Sequence, residues 1–451
     1  MRRPPDYRLV ALVLTTALVR FVPMWAWWWR PCVRDECTYR DLAASIMRGE
    51  GMVGTRGWLW APGYPGLLAL HGTFLGKMHD IKWTQLFAAV LTTALIYNFT
   101  RARFGRSAAT IAGALFALSP THVFYASSFW SECIYTLLLF GMVQAIAWAR
   151  GERNDGESIR HDEPTAWRAL AAGALLGACV LFRGVATYML PCLVLALGWG
   201  RWRVPGLGRA AVAAVLGAAI VVAPYSAYAS QKFDAFILSD RTLGQMMWLG
   251  NNDYPPVTFD YGNGLIRDED FDRVTATGRR HCPFVYNPAL QDACEMQNGV
   301  DWVKENPGEF LERVPLRVSQ MLNPHSLLTR NIRTGRWAGL PAWGDELIVA
   351  LVPVFSILTL VVGTLGAVTR GRGWYLAGAS AIVAYHVAAI ACLAGLTRYR
   401  VPLEPLWMVF AGAYLAAPCR PPRLAWPLLA ALSLLMLRFL PVAWPAWGSW
   451  W

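Results

Sequence analysis

Two adjacent carboxylates, Asp35 and Glu36, follow the first hydrophobic segment of the chain. A carboxylate takes a proton from an incoming hydroxyl or amine, and at a helix N-terminus the helix dipole favours its ionised form. Apolar residues then recur at helical spacing from Tyr39 to Met47, and Gly49 ends the pattern. The spacing predicts a short helix that lies at a membrane surface and carries a general base at its start.

Basic residues suited to a phosphate occur in several loops. Arg183 lies between two apolar segments, Arg398 and Arg400 share another loop, and Arg56 belongs to an arginine-rich first loop. An excess of Arg in an outer loop opposes the usual charge bias of membrane proteins, and an anionic ligand explains it. With Glu132 as a second acidic position, this set predicts attack on a lipid-linked phosphate ester, with cations stabilising the leaving group.

Each of these residues also has a simpler structural explanation. Asp35 alone would serve as the N-cap of the short helix, and Glu36 as a structural or assisting residue. An ion pair between Glu132 and an arginine would be ordinary packing. Arg183 and Arg400 would equally suit topology anchors whose charged ends extend to the membrane interface.

The composition is that of a polytopic membrane protein. Hydrophobic residues make up 55% of the 451 residues, charged residues only 16%, and there are 23 Trp. The net charge of +12 comes from Arg clusters in short loops, which are topology signals, so nucleic-acid binding is excluded. His71 and His386 lie inside apolar segments, where buried, hydrogen-bonded histidines are expected. No metal-ligand spacing appears, and the sequence leaves a requirement for a divalent metal open.

The topology follows from the apolar segments and the positive charges. Eleven segments are candidate transmembrane helices: 9–29, 81–100, 107–121, 132–149, 168–182, 185–199, 210–229, 346–369, 373–395, 401–417 and 424–441. With a cytoplasmic N-terminus, the short basic loops starting at Arg101, Arg201, Arg370 and Arg420 fall inside. This requires residues 62–78 to remain on the outer side as a re-entrant or interfacial helix.

These spans divide the chain into three parts. Residues 1–229 form an N-terminal transmembrane catalytic module with a first outer loop at 30–80, residues 230–345 an extracytoplasmic (periplasmic) domain, and residues 346–451 the C-terminal transmembrane helices. The four outer cysteines are even in number and locally paired. In an oxidising periplasm this favours disulfides Cys32–Cys37 and Cys282–Cys294, although spacing alone does not establish their geometry.

A series of short motifs then recurs in a familiar order, and each is weak alone. They are Asp35-Glu36-x-x-Tyr39, Pro62-Gly63-Tyr64-Pro65, Leu118-Ser119-Pro120 followed by Glu132, Arg183, Gly250-Asn251-Asn252, Asn306-Pro307-x-x-Phe310 and Arg398-Tyr399-x-x-Pro402. In this order the chain resembles the GT-C-type integral-membrane glycosyltransferases, nearest to family 39, the protein O-mannosyltransferase and aminoarabinose transferase type.

The resemblance implies both a fold and a reaction. The fold is an all-α polytopic GT-C-like bundle of about eleven transmembrane helices with interfacial helices and a small outer domain. The reaction transfers a sugar, with inversion, from a polyprenyl-phosphate donor to an envelope glycan, lipid or protein on the outer face of the bacterial inner membrane. It implies Asp35 as base with Glu36 beside it, Glu132 as second acid, and arginines on the donor phosphate. The implied substrate-binding residues are Tyr39, Tyr64, Asn251, Asn252 and Tyr399.

Two other functions use similar parts. A transporter or flippase of lipid-linked sugars also needs arginines for phosphate and a cavity at membrane depth, and a non-catalytic envelope-assembly subunit is the third alternative. Against transport, the Asp35–Glu36 pair lies in a surface loop and not at mid-membrane between broken inverted repeats.

Overall fold

The structure, a computed structural model, describes residues 6–33, 35–52, 59–154, 159–161, 165–200, 206–253, 282, 287–333, 335, 337, 341–423 and 425–437. These residues are almost entirely helical, which confirms the all-α fold. The main helices are Tyr7–Ala26, Asp35–Met47, Gly63–Phe74, Ile81–Leu118, Pro120–Ser127, Glu132–Ala149, Ala166–Phe182, Leu190–Gly198, Leu207–Phe233, Leu243–Gly250, Pro288–Glu305, Pro307–Leu322, Leu327–Arg333, Ala342–Ile357, Gly363–Arg370, Gly373–Cys392, Glu404–Ala416 and Ala425–Leu437. Two short strands, Glu152–Asn154 and Ile159–His161, pair antiparallel.

Several described helices are built to span a membrane. Five are long and apolar enough, and a sixth is added if the bent pair 78–118 and 120–127 forms one span. The five are Tyr7–Ala26, Glu132–Ala149, Leu207–Phe233, Ala342–Arg370 and Gly373–Cys392. Of these, Ala342–Arg370 joins the helices Ala342–Ile357 and Gly363–Arg370 through the π-helical turn Leu358–Val362. The expected number of eleven is not confirmed, because several predicted spans correspond to short helices; Leu190–Gly198, for example, has only 9 residues.

The predicted segments 81–100 and 107–121 meet in one continuous run, Ile81–Leu118, that is broken at Gly105. Gly105 has φ 85°, a left-handed conformation that glycine adopts without a steric penalty. The break falls beside Arg101 and Arg103, in the loop that the charge pattern assigns to the cytoplasm. Arg101 pairs with Asp6 at 2.7 Å, and Arg103 pairs with Glu152. This loop therefore lies with the start of the first helix and the end of the sixth.

The segment 62–78 contains the helix Gly63–Phe74, whose 12 residues extend about 18 Å at 1.5 Å per residue. That length is well short of the roughly 30 Å hydrocarbon core, as a helix that does not cross requires. Its buried residues, including Tyr64 and Leu68, pack in one hydrophobic cluster with Tyr39 of the preceding helix. The interfacial helix 35–47, predicted from its spacing, is formed as Asp35–Met47.

Close helix packing fixes the helix that ends at Arg183. A Cβ on Gly173 would lie 1.8 Å from the carbonyl oxygen of Ala214, and one on Gly217 would lie 2.0 Å from that of Leu170. Small residues thus let the helices Ala166–Phe182 and Leu207–Phe233 approach backbone to backbone, as membrane helices commonly do. The position of Arg183 at the end of this pair is therefore well defined.

The described part of the region 230–345 packs directly on the transmembrane helices. Gly395 meets the backbone of Arg317, where a Cβ would lie 2.5 Å from the carbonyl oxygen. The Arg317 guanidinium also donates to the Ala391 and Gly250 carbonyls at 2.8 and 2.6 Å. Both predicted disulfides, 32–37 and 282–294, are formed. The division of the chain into three parts stays a prediction.

Candidate active site

Asp35 is the first residue of the helix Asp35–Met47, and the Cys32–Cys37 disulfide closes the chain around it. Its carboxylate accepts a hydrogen bond of 2.6 Å from Nη1 of Arg398, which comes from the far end of the sequence. A quarter of the Asp35 side chain remains exposed. The predicted base therefore lies at a helix N-terminus, paired with a cation and accessible from one side.

Arg398 lies in the short 3₁₀ turn Thr397–Tyr399 that follows the helix Gly373–Cys392. Its guanidinium packs against the rings of Trp130 and Tyr399, with its central carbon 5.5 and 5.9 Å from their centroids. Burial lowers the pKa of Arg398, but the facing carboxylate of Asp35 and other negative groups raise it, with a net increase. Arg398 is a fixed positive charge.

A second ion pair joins Glu132, the first residue of its helix, to Arg183 at the end of another. Both side chains are buried, and Oε2 of Glu132 has no hydrogen-bond partner among the described residues. The Arg183 guanidinium lies 5.1 Å from the ring centroid of Tyr399. Since Arg398 lies against the same ring, Tyr399 holds the two arginines close together.

Tyr39 projects from the interfacial helix into the same region. Its hydroxyl lies 3.5 Å from that of Ser131, and its ring makes edge contacts with Trp60, Tyr64 and Trp130. Burial, and secondarily the negative charge of Glu132, raise the pKa of Tyr39 to about 12. Tyr39 therefore stays protonated at neutral pH and retains a hydroxyl that can donate a hydrogen bond.

These groups border a cavity of about 720 Å³. Tyr39, Arg183, Arg398 and Tyr399 line it, whereas Asp35 and Glu132 lie behind the arginines that they pair with. The apolar wall is formed by Phe182, Val185, Tyr188, Phe236, Tyr385, Ala388, Ala389, Cys392 and Leu393. The volume is in the range of small-molecule sites.

Glu36 is the most enclosed of the predicted catalytic residues. Its carboxylate is fully buried and accepts hydrogen bonds from Arg30 at 2.6 Å, the Val33 N–H at 2.9 Å and the Phe129 N–H at 3.0 Å. These contacts tie the first loop to the start of the sixth helix. The geometry suits a structural anchor that holds the neighbouring Asp35 in place.

Arg400 is also fully buried, away from the cavity lining. It donates to Glu404 at 3.0 Å, to the Ser356 hydroxyl at 3.1 Å and to the Asn323 carbonyl. His122 lies 3.2 Å from the other oxygen of Glu404. This network joins three distant helices and leaves Arg398 as the arginine of this turn that faces the cavity.

The remaining predicted substrate-binding residues lie in structural hydrogen bonds. Tyr64 donates to Gln85 at 2.7 Å. Asn251 donates to the Cys392 carbonyl at 2.9 Å, and Asn252 to the Trp248 carbonyl at 2.8 Å. None of these three lines the cavity, although Asn251 fixes the end of the helix that forms its wall. Arg56 lies outside the described residues.

The cavity also has a polar end that sequence reasoning did not single out. Asp240, Arg241, Gln245 and Asp292 line it, together with Trp60 near the first loop. Asp240 and Arg241 come soon after the end of a predicted span, which is the one signal that marks them. In the described part of the chain there is no cluster of three metal-ligand side chains.

Comparisons with known proteins agree with this architecture. Residues 67–228 match the family model for dolichyl-phosphate-mannose-protein mannosyltransferase. The Archaeoglobus fulgidus oligosaccharyltransferase AglB, solved with an inhibitory peptide and a dolichol-phosphate, superposes with a TM-score of 0.51 at 15% identity, covering 97% of this chain and 55% of AglB. ArnT from Cupriavidus metallidurans, bound to undecaprenyl phosphate, gives a TM-score of 0.42 at 16% identity, covering 90% of this chain and 76% of ArnT.

No curated protein matches the sequence of this chain. The chain spans about half the length of the archaeal oligosaccharyltransferase structures that it matches. The likeness to AglB shows a GT-C-type fold, and the long apolar helices are those of a multi-pass membrane protein. This likeness and the match of residues 67–228 to the mannosyltransferase family model together confirm the resemblance to GT-C-type glycosyltransferases that the ordered motifs indicate.

Proposed function

We propose that this protein is an inverting glycosyltransferase that moves a sugar from a polyprenyl-phosphate donor to an acceptor on the outer face of the bacterial inner membrane. One observation carries the proposal: Arg183 and Arg398 share the ring of Tyr399, face one cavity, and are backed by Glu132 and Asp35. Paired guanidinium groups suit phosphate, and a carboxylate beside them suits proton removal.

The donor enters with its phosphate at the two arginines. The apolar wall formed by Tyr385, Ala388 and Cys392 accommodates the first isoprene units, and Tyr188, which is 63% exposed, marks its outer edge. The solved relatives support this class of ligand, since AglB was captured with dolichol-phosphate and ArnT with undecaprenyl phosphate. This chain is proposed to bind the same kind of lipid phosphate.

The acceptor is proposed to reach Asp35 through the exposed quarter of its side chain. Asp35 is not itself a lining residue, but it contacts Arg398, which lines the cavity, and a quarter of its side chain is exposed. Asp35 removes the proton from the acceptor hydroxyl or amine, whose oxygen or nitrogen attacks the anomeric carbon. The bond from that carbon to the phosphate oxygen breaks, and the electron pair leaves with the lipid phosphate. Attack opposite the leaving group inverts the anomeric configuration.

The arginines supply the electrostatic part of catalysis. Negative charge grows on the departing phosphate, and the two fixed guanidinium groups stabilise it. Glu132 holds Arg183 and Asp35 holds Arg398, so both guanidinium groups are oriented before the substrate arrives. Glu36 positions Asp35 through Arg30 and the Phe129 backbone. The acceptor is an envelope glycan, lipid or protein.

The outer location is proposed from the arrangement of the loops. Asp35, Glu132, Arg183 and Arg398 meet at one set of helix ends. The basic loop at Arg101 instead pairs with Asp6 beside the start of the first helix. With the basic loops on the cytoplasmic side, the candidate site faces outward.

The test is single-turnover transfer from radiolabelled undecaprenyl-phosphate sugars to envelope extract in nanodiscs, with and without EDTA. Wild type is compared with Asp35→Asn and Arg398→Gln, and Arg48→Gln is the control because Arg48 is exposed and pairs only with the nearby Glu50 in the described contacts. Transfer by wild type and Arg48→Gln but not by the two site variants supports the proposal. Donor binding without transfer by any variant contradicts it and favours a transporter or an assembly subunit.

A further inference from the structure

The polar end of the cavity is built from the segment 236–246 and the helix Pro288–Glu305. The N–H of Arg241 donates to the Leu59 carbonyl at 2.7 Å, which joins this segment to the first loop just before Trp60. The polar end therefore belongs to the same cavity as the arginines but is formed by a different part of the chain. The roles proposed above for the arginines and carboxylates do not use it.

Asp240 is fixed next to the backbone that carries Arg183. Its two carboxylate oxygens accept hydrogen bonds from the hydroxyls of Ser239 at 3.2 Å and Thr242 at 2.7 Å. A Cβ on Gly184 would lie 2.2 Å from both oxygens, so glycine at this position is required for the carboxylate to pack there. The Arg183–Gly184 backbone thus lies between the polar end and the part of the cavity lined by Arg183 and Arg398, here called the cationic end.

Asp292 forms the opposite side of the polar end. Its Oδ1 accepts a hydrogen bond of 2.7 Å from the N–H of Gly244, and its Oδ2 lies 3.7 Å from Nη1 of Arg241. Burial raises the pKa of Asp292 to about 6, and the neighbouring Asp240 adds to the increase. Two carboxylates against one guanidinium leave this end with a net negative charge, which disfavours a second phosphate.

Gln245 gives independent evidence for a ligand. The residue is only 8% exposed and lines the cavity, yet its side chain makes no hydrogen bond to any described residue. Its amide is open to the cavity and offers two donors and one acceptor to whatever enters. Beside it are the carboxylates of Asp240 and Asp292, which accept, and the guanidinium of Arg241, which donates.

We propose that the polar end formed by Asp240, Gln245 and Asp292 binds the hydroxyl groups of a sugar ring. This rests on the proposed glycosyl transfer. A sugar presents neighbouring hydroxyls that each donate and accept, which matches a mixed set of carboxylates, an amide and a guanidinium and does not match an apolar or anionic ligand. A cavity of about 720 Å³ accommodates a sugar together with a phosphate. The sugar comes from the donor or from a glycan acceptor.

The test compares Gln245→Ala and Asp292→Asn with Gln297→Ala, a control of the same side-chain type on the exposed face of the helix that carries Asp292. Binding to protein in nanodiscs is measured for undecaprenyl phosphate alone and for a panel of undecaprenyl-phosphate hexoses and pentoses, and KM is measured for donor and acceptor. Undecaprenyl phosphate lacks the sugar, so its affinity reports the arginine end alone. Gln245→Ala carries the decision if Asp292→Asn fails to fold, because Gln245 makes no hydrogen bond that its loss would break.

If the bound sugar belongs to the donor, Gln245→Ala should bind the best lipid-phosphate sugar about tenfold more weakly than wild type does, while its affinity for undecaprenyl phosphate stays the same. Gln297→Ala should bind both ligands as wild type does. If the bound sugar belongs to the acceptor, Gln245→Ala should bind the donor as wild type does, and its KM for the acceptor should rise about tenfold. If wild type binds and transfers and Gln245→Ala alters neither, the proposal is overturned. If wild type binds no lipid phosphate and transfers no sugar, the proposed function itself fails, and the sugar site fails with it.

Discussion

Replacing Asp35 with Asn separates proton removal from donor binding. The Asp35 carboxylate is 2.6 Å from Arg398, and both side chains are partly exposed, at 25% and 15%. Asparagine keeps the shape of the side chain and removes the charge and the basicity. We expect the transfer rate to fall by about 10²- to 10⁴-fold, which is the usual contribution of a general base.

Donor binding should change in the opposite direction. In the proposed reaction the donor phosphate competes with Asp35 for Arg398, and Asp35→Asn removes that competitor. A partly exposed ion pair of this kind is worth at most about 1 kcal/mol once solvent screening is included. Undecaprenyl phosphate should therefore bind about fivefold more tightly to Asp35→Asn than to wild type. Arg398→Gln should bind it more weakly than wild type.

The assay is equilibrium binding of labelled undecaprenyl phosphate combined with single-turnover transfer. Asp301→Asn is the matched control, because Asp301 is exposed and pairs with Lys304; both of its values should equal those of wild type. A loss of rate together with a gain in affinity is not expected of a residue that only starts a helix. The reasoning is wrong if Asp35→Asn transfers at more than a tenth of the wild-type rate, or binds as weakly as Arg398→Gln.

Two further predictions concern buried charges. Glu132→Gln leaves Arg183 without its buried partner, so we expect a loss of about 3–5 kcal/mol in stability, seen as a lower Tm; the double variant with Arg183→Met should recover part of that loss, and no recovery would contradict the pairing. The second prediction concerns Asp292, whose pKa burial raises to about 6; the charged groups that face it are Arg241 and Asp240. Asp292 is therefore protonated as the pH falls through about 6. The KM for the sugar-bearing ligand should rise below that pH in wild type and stay flat in Asp292→Asn. Because the folded-state pKa is raised, the contribution of Asp292 to stability increases on acidification, so unfolding through this group would not explain the rise.

Much of the cationic end was predictable from the sequence. Asp35, Glu132, Arg183, Arg398 and Tyr399 all lie at the ends of apolar segments, and one topology places those ends on the same face. Charged side chains at such positions are costly unless they are paired or functional, and the structure pairs them. The interfacial helix was predictable because its apolar residues recur at helical spacing.

Which of two neighbouring residues is accessible and which is fully buried was not predictable. Asp35 and Glu36 are consecutive on a helix, so their side chains point about 100° apart, and one is partly exposed while the other is buried. Arg398 and Arg400 differ in the same way around a tight turn. The polar end was not predicted because Gln245 and Asp292 come from helices that are about 45 residues apart in the sequence. No motif links them, and only the packing of the two helices brings them together.

In the proposed reaction, the balance of charge among Arg183, Arg398, Glu132 and Asp35 favours the transition state over the bound donor. Two arginines and two carboxylates sum to zero, so the empty site is neutral. A polyprenyl-phosphate sugar is a phosphodiester with one negative charge, and the departing lipid phosphate gains a second as the bond to the sugar breaks. Asp35 loses its own charge when it accepts the acceptor proton. Arg398 then pairs with the phosphate alone, when the charge on the phosphate is largest, which is the differential stabilisation that raises kcat.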